Sequence, residues 1–201
     1  IKGRLSSEIE FAREMEKSDR FCSASQTIKS LGDVYIVIDI ETTGLSSVKD
    51  EIVEIAALKV EGGRLTGDGF SSLVRIEGQI PYEATRINGI TQRMLERDGQ
   101  SLEAVLRTLM DFIGDNSIVA HYAKFDIDFI DSALERRGME LWNKIHCSLK
   151  VARKAFPERS SWKLKNIADD LGLSTRGSHR AENDCKTTVK VFEASLDRLR
   201  N

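Results

Sequence analysis

The sequence lacks the features that mark several classes of protein. It has no apolar run near the ~18 residues that a membrane-spanning helix requires, and its N-terminal residues lack the apolar segment of a secretory signal peptide. No internal repeat or low-complexity stretch is present. These absences argue against membrane-spanning, collagen-like, coiled-coil and disordered classes, and we expect a cytoplasmic protein.

Cysteine is also scarce. The 201 residues include three cysteines, Cys22, Cys147 and Cys185, which are far apart in sequence. None belongs to a C-x-x-C pair of the kind that holds zinc or forms a redox dithiol. We therefore expect buried, reduced thiols.

The chain has little net charge, but its charges are unevenly distributed. The formal net charge of −2 argues against non-specific binding to nucleic acid. Between Lys150 and Arg180, however, eight Lys and Arg residues stand against three acidic ones. This pattern fits either a surface that faces phosphates or an ordinary solvated helix face.

Composition and patterning indicate one packed domain with an N-terminal appendage. Hydrophobic residues make up 40% of the chain and charged residues 31%, which is typical of globular proteins. Ser7 and Glu10 form a capping-box pattern before a weak apolar stripe, and the polar segment "SASQTIKSLGD" follows. We predict an accessory helix and linker at 1–32 and the main domain at 33–201.

The main domain begins with three apolar, strand-like segments and then alternates between helix and strand patterns. The three strands are predicted at 34–41, 52–60 and 70–76, and the turn signal Gly62-Gly63 makes them an antiparallel meander. The following segments predict β-α-β units and a final helix from about Ala181. We expect an α/β fold with a five-stranded mixed sheet flanked by helices.

The first strand carries two carboxylates where a hydrophobic core would otherwise be expected. In "VYIVIDIETTGL", Asp39 and Glu41 are two residues apart, so their side chains point to the same face. Burying unpaired like charges together costs several kcal/mol, which predicts a cation between them. Alternatively, the pair lies by chance at a solvated strand end.

Two later segments contain further candidates. Asp126, in "VAHYAKFDIDFI", lies where a strand gives way to a helix, although a carboxylate there can simply favour the helix dipole. In "GSHRAENDCKTTVKVF", His179 precedes Asp184 by five residues at the start of the last helix. A histidine in such a loop is often an ordinary surface residue.

Taken together, these residues predict a metal-dependent site. Asp39, Glu41, Asp126 and Asp184 offer the hard oxygen ligands that Mg²⁺ or Mn²⁺ prefers. Two such ions about 3.5 to 4 Å apart form the arrangement used to hydrolyse phosphodiesters. A histidine with an ordinary pKa of ~6.5 suits the general base, a role that His179 can take.

The same residues carry a resemblance to a known family. The motifs "VIDIETTGL", "AHYAKFD" and "HRAENDC" resemble those of the DEDDh 3′→5′ exonucleases, particularly the proofreading subunit or domain of bacterial DNA polymerase III. The similarity extends from about Asp33 to Phe192. It implies a ribonuclease H-like fold, two metal ions held by the four carboxylates, and His179 as general base.

The resemblance also implies how the substrate is held. The Thr43-Gly44 backbone would hold the 3′-terminal nucleotide, Leu45 would wedge beside its base, and Phe125 would pack near it. The chain departs from the family at two points beside this pocket.

The first departure is His121-Tyr122, where the family often has His-Asn. The second is Asn88, where a His is common. We count both His121 and Tyr122 among the candidate substrate-binding residues. Tyr122 would either stack on a base or be an ordinary half-buried aromatic.

The leading functional hypothesis is a 3′→5′ exonuclease that releases nucleoside 5′-monophosphates from single-stranded or frayed DNA in proofreading or repair. The alternatives are an RNA-trimming exonuclease, an endonuclease on the same fold, and a non-catalytic module bound to a polymerase. The N-terminal helix and the start at Ile1 fit a larger polypeptide or a docking partner such as a polymerase, although tag removal or processing would give the same start. A homodimer also remains open.

Overall fold

The computed structural model describes residues 14–173 and 179–201. Within these ranges, no helix is long and apolar enough to cross a membrane. The strands are β1 Phe21–Cys22, β2 Val34–Thr42, β3 Ile52–Glu61, β4 Arg64–Leu73, β5 Ser117–Ala120 and β6 Ile145–Cys147. The helices are α1 at residues 14–19, α2 Ala24–Ser30, α3 Tyr82–Asn88, α4 Gln92–Asp98, α5 Leu102–Ile113, α6 Ala123–Glu135, α7 Ser148–Ala155, α8 Leu164–Asp170 and α9 Ala181–Arg200.

The strands form one mixed sheet in the order β1-β6-β5-β2-β3-β4. β2, β3 and β4 pair antiparallel, whereas β5 pairs parallel with both β2 and β6. The turn between β3 and β4 contains Gly62 and Gly63, both with positive φ, a conformation that glycine adopts without steric cost. The predicted meander followed by β-α-β units is therefore confirmed.

The predicted count of five strands was wrong by one. β1 pairs parallel with β6 at the edge of the sheet and is the sixth strand of the described residues. This strand has no recognisable signal in the sequence, because two residues are too few to show an alternating pattern.

The predicted linker was also wrong, since residues Ala24–Ser30 form a helix. The hydroxyl of Ser23 accepts a hydrogen bond from the Gln26 N–H, and the Gln26 side chain accepts one from the Ser23 N–H, a reciprocal cap that stabilises this polar segment as helix. Just before β1, the buried Arg20 forms an ion pair with Asp131 of α6. The Ser7 and Glu10 pattern lies outside the described residues, and the division at residue 32 stays a prediction.

The two faces of the sheet are covered by different helices, and the side chains of β2 point alternately to one face and the other. Ile36, Ile38 and Ile40 face a core shared with α5 and α6, whereas Tyr35 and Val37 face a second core shared with α9. Because side chains alternate along a strand, Asp39 and Glu41 continue the Tyr35 and Val37 row towards α9. The three cysteines are free and buried, as predicted.

The short helices α3 and α4 were not predicted, because seven residues give too few turns for a clear apolar period. α3 ends at Gly89, whose φ of +70° is typical of a helix C-terminus. α4 begins after Thr91, whose hydroxyl accepts a hydrogen bond from the Met94 N–H at 3.3 Å. The pair places the buried Asn88 beside the carboxylates of β2.

Candidate active site

Three of the predicted carboxylates converge at one end of the sheet. Asp39 and Glu41 extend from β2, and Asp184 comes from the first turn of α9. One potential ligand atom from each lies within 4.8 Å of those of the other two. The structure thus brings together residues that are more than 140 positions apart in sequence.

The fourth predicted carboxylate, Asp126, lies next to this group but outside that mutual distance. It is in the first turn of α6, with 3% of its surface exposed. Burial raises the pKa of Asp126 well above its usual range, opposed by hydrogen bonds from backbone amides, including that of Ile40. Its charge in turn raises the pKa of Asp39, so the two carboxylates are close enough to interact.

The cluster is electrostatically unfavourable as long as its groups are all ionised. Burial, followed by the charges of Asp126, Asp184 and Glu41, raises the pKa of Asp39 well above its ordinary value. Burial and the charge of Asp184 raise the pKa of Glu41 to about 7. A divalent cation would remove this repulsion. The oxygen donors and their close spacing fit Mg²⁺ or Mn²⁺.

His179 lies beside Asp184. Its backbone N–H donates a hydrogen bond to Oδ2 of Asp184 at 3.1 Å, and its side chain is exposed. Its φ of +67° is unusual for a residue other than glycine. His179 and Asp184 line the same cavity, which has a volume of about 980 Å³. The predicted proximity of these two residues is therefore present.

An ion pair that was not predicted from the sequence supports this arrangement. Glu54 of β3 is 1% exposed, and both its oxygens bind the guanidinium of Arg180, with Nη2 at 2.6 Å and Nε at 3.1 and 3.2 Å. Glu54 also accepts the Ala181 N–H at 3.0 Å, at the first residue of α9. The pair therefore fixes the start of the helix that carries Asp184 and the segment that carries His179.

One signal in the sequence could have identified Glu54. It interrupts the apolar run "IVEIAAL", and a buried acid requires a partner. In the sheet it lies directly opposite Glu41, and its charge raises the pKa of both Glu41 and Asp39. The partner could not be found from the sequence, because Arg180 is 126 positions away.

Asn88 contacts the cluster from the other side. Its side chain forms a hydrogen bond with Glu41 that opposes the rise in the pKa of that carboxyl. Its Oδ1 accepts the Ile90 N–H at 2.9 Å, which fixes the orientation of the amide. The Asn found in place of the family's frequent His therefore positions a proposed metal ligand.

The segment after β2, which the resemblance assigns to the substrate, is held by Asp50. The Asp50 carboxylate accepts the Ser46 N–H at 2.8 Å, and the Thr43 hydroxyl lies 3.5 Å from it. A side chain at Gly44 would place Cβ 2.5 Å from this carboxylate, so any larger residue would force Asp50 to move. Leu45 is 87% exposed, with its side chain free of the core.

The remaining substrate candidates have different surroundings. His121 is largely enclosed, with Nε2 3.0 Å from the Trp162 carbonyl and Nδ1 2.7 Å from the Ser148 hydroxyl. Because a carbonyl can only accept, Nε2 donates and Nδ1 accepts. Burial lowers the pKa of His121 to about 4, despite the opposing bond to Trp162, so the ring is neutral near pH 7. His121 thus joins β5 to the segment that holds Trp162.

Phe125 packs against Phe129, with ring centroids 5.0 Å apart, and is half-buried. Tyr122, by contrast, has 58% of its surface exposed and lines the same cavity as Asp184. Of the two aromatic residues, Tyr122 is therefore the more accessible to a ligand.

Comparison with known proteins connects this geometry to a family. The RNase T exonuclease family model matches residues 36–192. The chain is 40% identical over 171 residues to DNA polymerase III subunit epsilon of Aquifex aeolicus, covering 84% of this chain and 83% of that protein. It is 38% identical over 173 residues to the PolC-type DNA polymerase III of Clostridium perfringens, covering 86% of this chain. The chain spans 12% of that polymerase's length.

A solved structure shows the same architecture. Exonuclease X in complex with 5′ overhanging duplex DNA is 28% identical, with a TM-score of 0.63 over 83% of this chain and 91% of that one. The predicted ribonuclease H-like α/β fold is confirmed. So is the resemblance to the exonuclease of bacterial DNA polymerase III.

Proposed function

The chain belongs to the RNase T exonuclease family, and we propose that it is a 3′→5′ exonuclease that removes nucleoside 5′-monophosphates from single-stranded or frayed DNA ends. The observation that carries this proposal is the set of carboxylates from Asp39, Glu41 and Asp184 within 4.8 Å, with the buried Asp126 beside them. A purely binding module has no physical need for buried acids that repel one another.

The four carboxylates would hold two divalent cations. When bound, these ions would lower the pKa of the attacking water and stabilise charge on the leaving oxygen. His179 would accept the proton from the water, a role that suits its exposed position in the cavity that Asp184 also lines. Glu54 and Arg180 would hold His179 and Asp184 in a fixed position beside the carboxylates of β2.

The terminal nucleotide would lie against the segment after β2. The Thr43-Gly44 backbone, which packs against the Asp50 carboxylate, would hold the nucleotide, and the exposed Leu45 would pack beside the last base. Phe125 would contribute to the same pocket, whereas His121 would act by holding Trp162 in place. Such a pocket accepts an unpaired end, which is why we propose a single-stranded or frayed terminus.

DNA is supported as the substrate by the named relatives, which include a polymerase III epsilon subunit and a PolC-type polymerase. The complex of the related exonuclease X with DNA points the same way. We propose that the chain works beside a polymerase, as a subunit or as part of a longer polypeptide, in proofreading or repair.

The test is digestion of a 5′-labelled single-stranded DNA oligomer beside its RNA counterpart, with Mg²⁺, Mn²⁺ or EDTA. We expect a ladder that shortens from the 3′ end with metal, and faster cleavage of DNA than of RNA. His179→Ala should lose most turnover but retain metal binding by calorimetry. Asp39→Asn should lose both.

Lys154→Ala serves as a control, because Lys154 is an exposed residue of α7 and does not line the cavity that contains His179 and Asp184. Equal metal affinity in the wild type and Asp39→Asn would contradict the ligand assignment. Metal binding without cleavage of either oligomer would favour a non-catalytic module. Cleavage of a circular single strand would identify an endonuclease.

A further inference from the structure

Tyr122 has a backbone conformation that suits its side chain poorly. Its φ of 61° and ψ of 46° lie in the left-handed region, which bulky residues rarely adopt. Asn is far better tolerated there. Because 58% of the Tyr122 surface is exposed, packing gives little compensation for the strain. Strain at an exposed residue beside a catalytic site commonly reflects a functional role.

Tyr122 also lies where two cavities meet. One is the cavity of about 980 Å³ that contains His179 and Asp184. The other, of about 740 Å³, extends along α6 and α7. Tyr122, Leu149 and Arg153 line both. A ligand that extends from one cavity into the other would therefore contact the Tyr122 side chain.

The cavity that contains His179 and Asp184 is rich in positive charge. Arg153, Lys163 and Lys165 line it and are exposed. Among the described residues that line it, Asp184 is the one carboxylate, and it belongs to the proposed metal site. This imbalance complements a chain of phosphates and gives a location to part of the basic stretch between 150 and 180.

The part of the cavity wall around Trp162 is held rigidly. The Arg153 guanidinium lies 5.5 Å from the centre of the Trp162 ring. The Trp162 carbonyl accepts a hydrogen bond from His121, and its indole N–H donates to the Phe156 carbonyl at 3.3 Å. The cationic group of Arg153 therefore has a fixed neighbour, which lowers the entropy lost when a phosphate binds.

We propose that Tyr122 and the cations Arg153, Lys163 and Lys165 form a track for the nucleotides upstream of the one being removed. The Tyr122 ring would stack on a base, and the cations would bind backbone phosphates. The occupant is a single strand, because stacking on the ring requires an exposed base face. This inference rests on the proposed exonuclease function and extends it to the strand outside the catalytic pocket.

The first test measures binding of a thymidine octanucleotide in EDTA, which prevents hydrolysis. The reporter is the fluorescence of Trp162 in a Trp142→Phe background, since these are the two tryptophans of the chain. Tyr122→Asn should weaken binding about 10-fold, within the range expected for loss of one stacked base. Tyr122→Phe should bind within about 2-fold of the parent, because it retains the ring.

The second test measures the salt dependence of the same binding. Lys163→Ala with Lys165→Ala should reduce the slope of log K against log salt by about 0.7 for each phosphate that the variant no longer binds. Lys154→Ala, which removes a charge outside both cavities, should leave the slope unchanged. An unchanged slope in the double variant would show that these lysines do not contact the strand.

Stability and chain length separate a substrate role from a structural one. Tyr122→Asn should melt at or above the wild-type temperature, because Asn tolerates the left-handed conformation. Its loss in kcat/KM should be larger for the octanucleotide than for a dinucleotide. Equal binding of the octanucleotide by wild type and Tyr122→Asn would overturn the track while leaving the exonuclease proposal intact. Tight, Tyr122-dependent binding without hydrolysis would instead support the track and reject the catalytic proposal.

Discussion

The ion pair between Glu54 and Arg180 gives a quantitative prediction, because its two members are unequally buried. The Glu54 side chain is 1% exposed and the Arg180 side chain 40%. Arg180→Met leaves a carboxylate in the protein interior without its cation. Glu54→Gln instead leaves a half-exposed cation that can turn towards water or towards the neighbouring Glu41. We therefore expect Arg180→Met to be the more destabilising change.

The magnitudes follow from this asymmetry. Breaking a buried ion pair on one side typically costs about 3–5 kcal/mol. We expect Arg180→Met to fall near ~3 kcal/mol, because the Ala181 N–H still binds Glu54 and solvent weakens a half-exposed pair. Glu54→Gln should cost about 1–2 kcal/mol, the usual effect of losing charge-assisted hydrogen bonds. The double variant Arg180→Met, Glu54→Leu should recover much of the loss.

The assay is urea unfolding at pH 7.5 in EDTA, followed by far-UV circular dichroism, with the denaturant slope checked for constancy. Two results would refute the reasoning. One is Glu54→Gln costing as much as Arg180→Met, and the other is an Arg180→Met penalty below about 1 kcal/mol.

Two further predictions concern His146 and Gly44. His146 is 1% exposed, and burial lowers its pKa to about 4 from an ordinary 6.5, so the unfolded chain takes up the proton first as pH falls. Between pH 6.5 and 4, the free energy of unfolding of the wild type should therefore fall by up to about 3 kcal/mol more than that of His146→Gln. Urea unfolding at each pH measures this difference. If the two stability-versus-pH curves run parallel, His146 does not titrate in this way. Gly44→Ala should lower the free energy of unfolding by about 1–3 kcal/mol through the clash with Asp50, and it should raise KM for single-stranded DNA. Gly32→Ala is the control, because a Cβ there meets no atom within 4 Å, and it should change neither quantity.

The parts of the fold that could be predicted from sequence are those with a local signal. The alternating row of β2 fixed the face of Asp39 and Glu41, and the Gly62-Gly63 turn fixed the pairing of β3 with β4. The edge strand β1 could not be predicted, because its two residues are held by β6 and by the pair of Arg20 with Asp131. Its stability comes from distant contacts rather than from its own pattern.

The residues of the candidate site likewise include some with a local signal in the sequence and some without one. Acids in apolar strands and at helix starts stand out in the sequence, so Asp39, Glu41, Asp126 and Asp184 were found. Arg180 did not stand out, because an Arg next to a histidine in a polar loop is ordinary. The left-handed conformation of Tyr122 was equally hidden, since Tyr has no preference for it.

The position of Arg180 also explains how the ligand carboxylates stay available for metal, and this leads to a last prediction. Arg180 is near enough to Glu41 to lower its pKa, yet its hydrogen bonds go to Glu54, which is not among the proposed ligands. Glu54→Gln should release the guanidinium to pair with Glu41 or Asp184 and compete with the cation. We expect Mg²⁺ affinity, measured by calorimetry, to fall about 5- to 10-fold, equivalent to roughly 1 kcal/mol. Arg180→Met with Glu54→Gln, which has no cation to redirect, should restore it. Unchanged affinity in Glu54→Gln would show that Glu54 does not hold Arg180 away from the metal site.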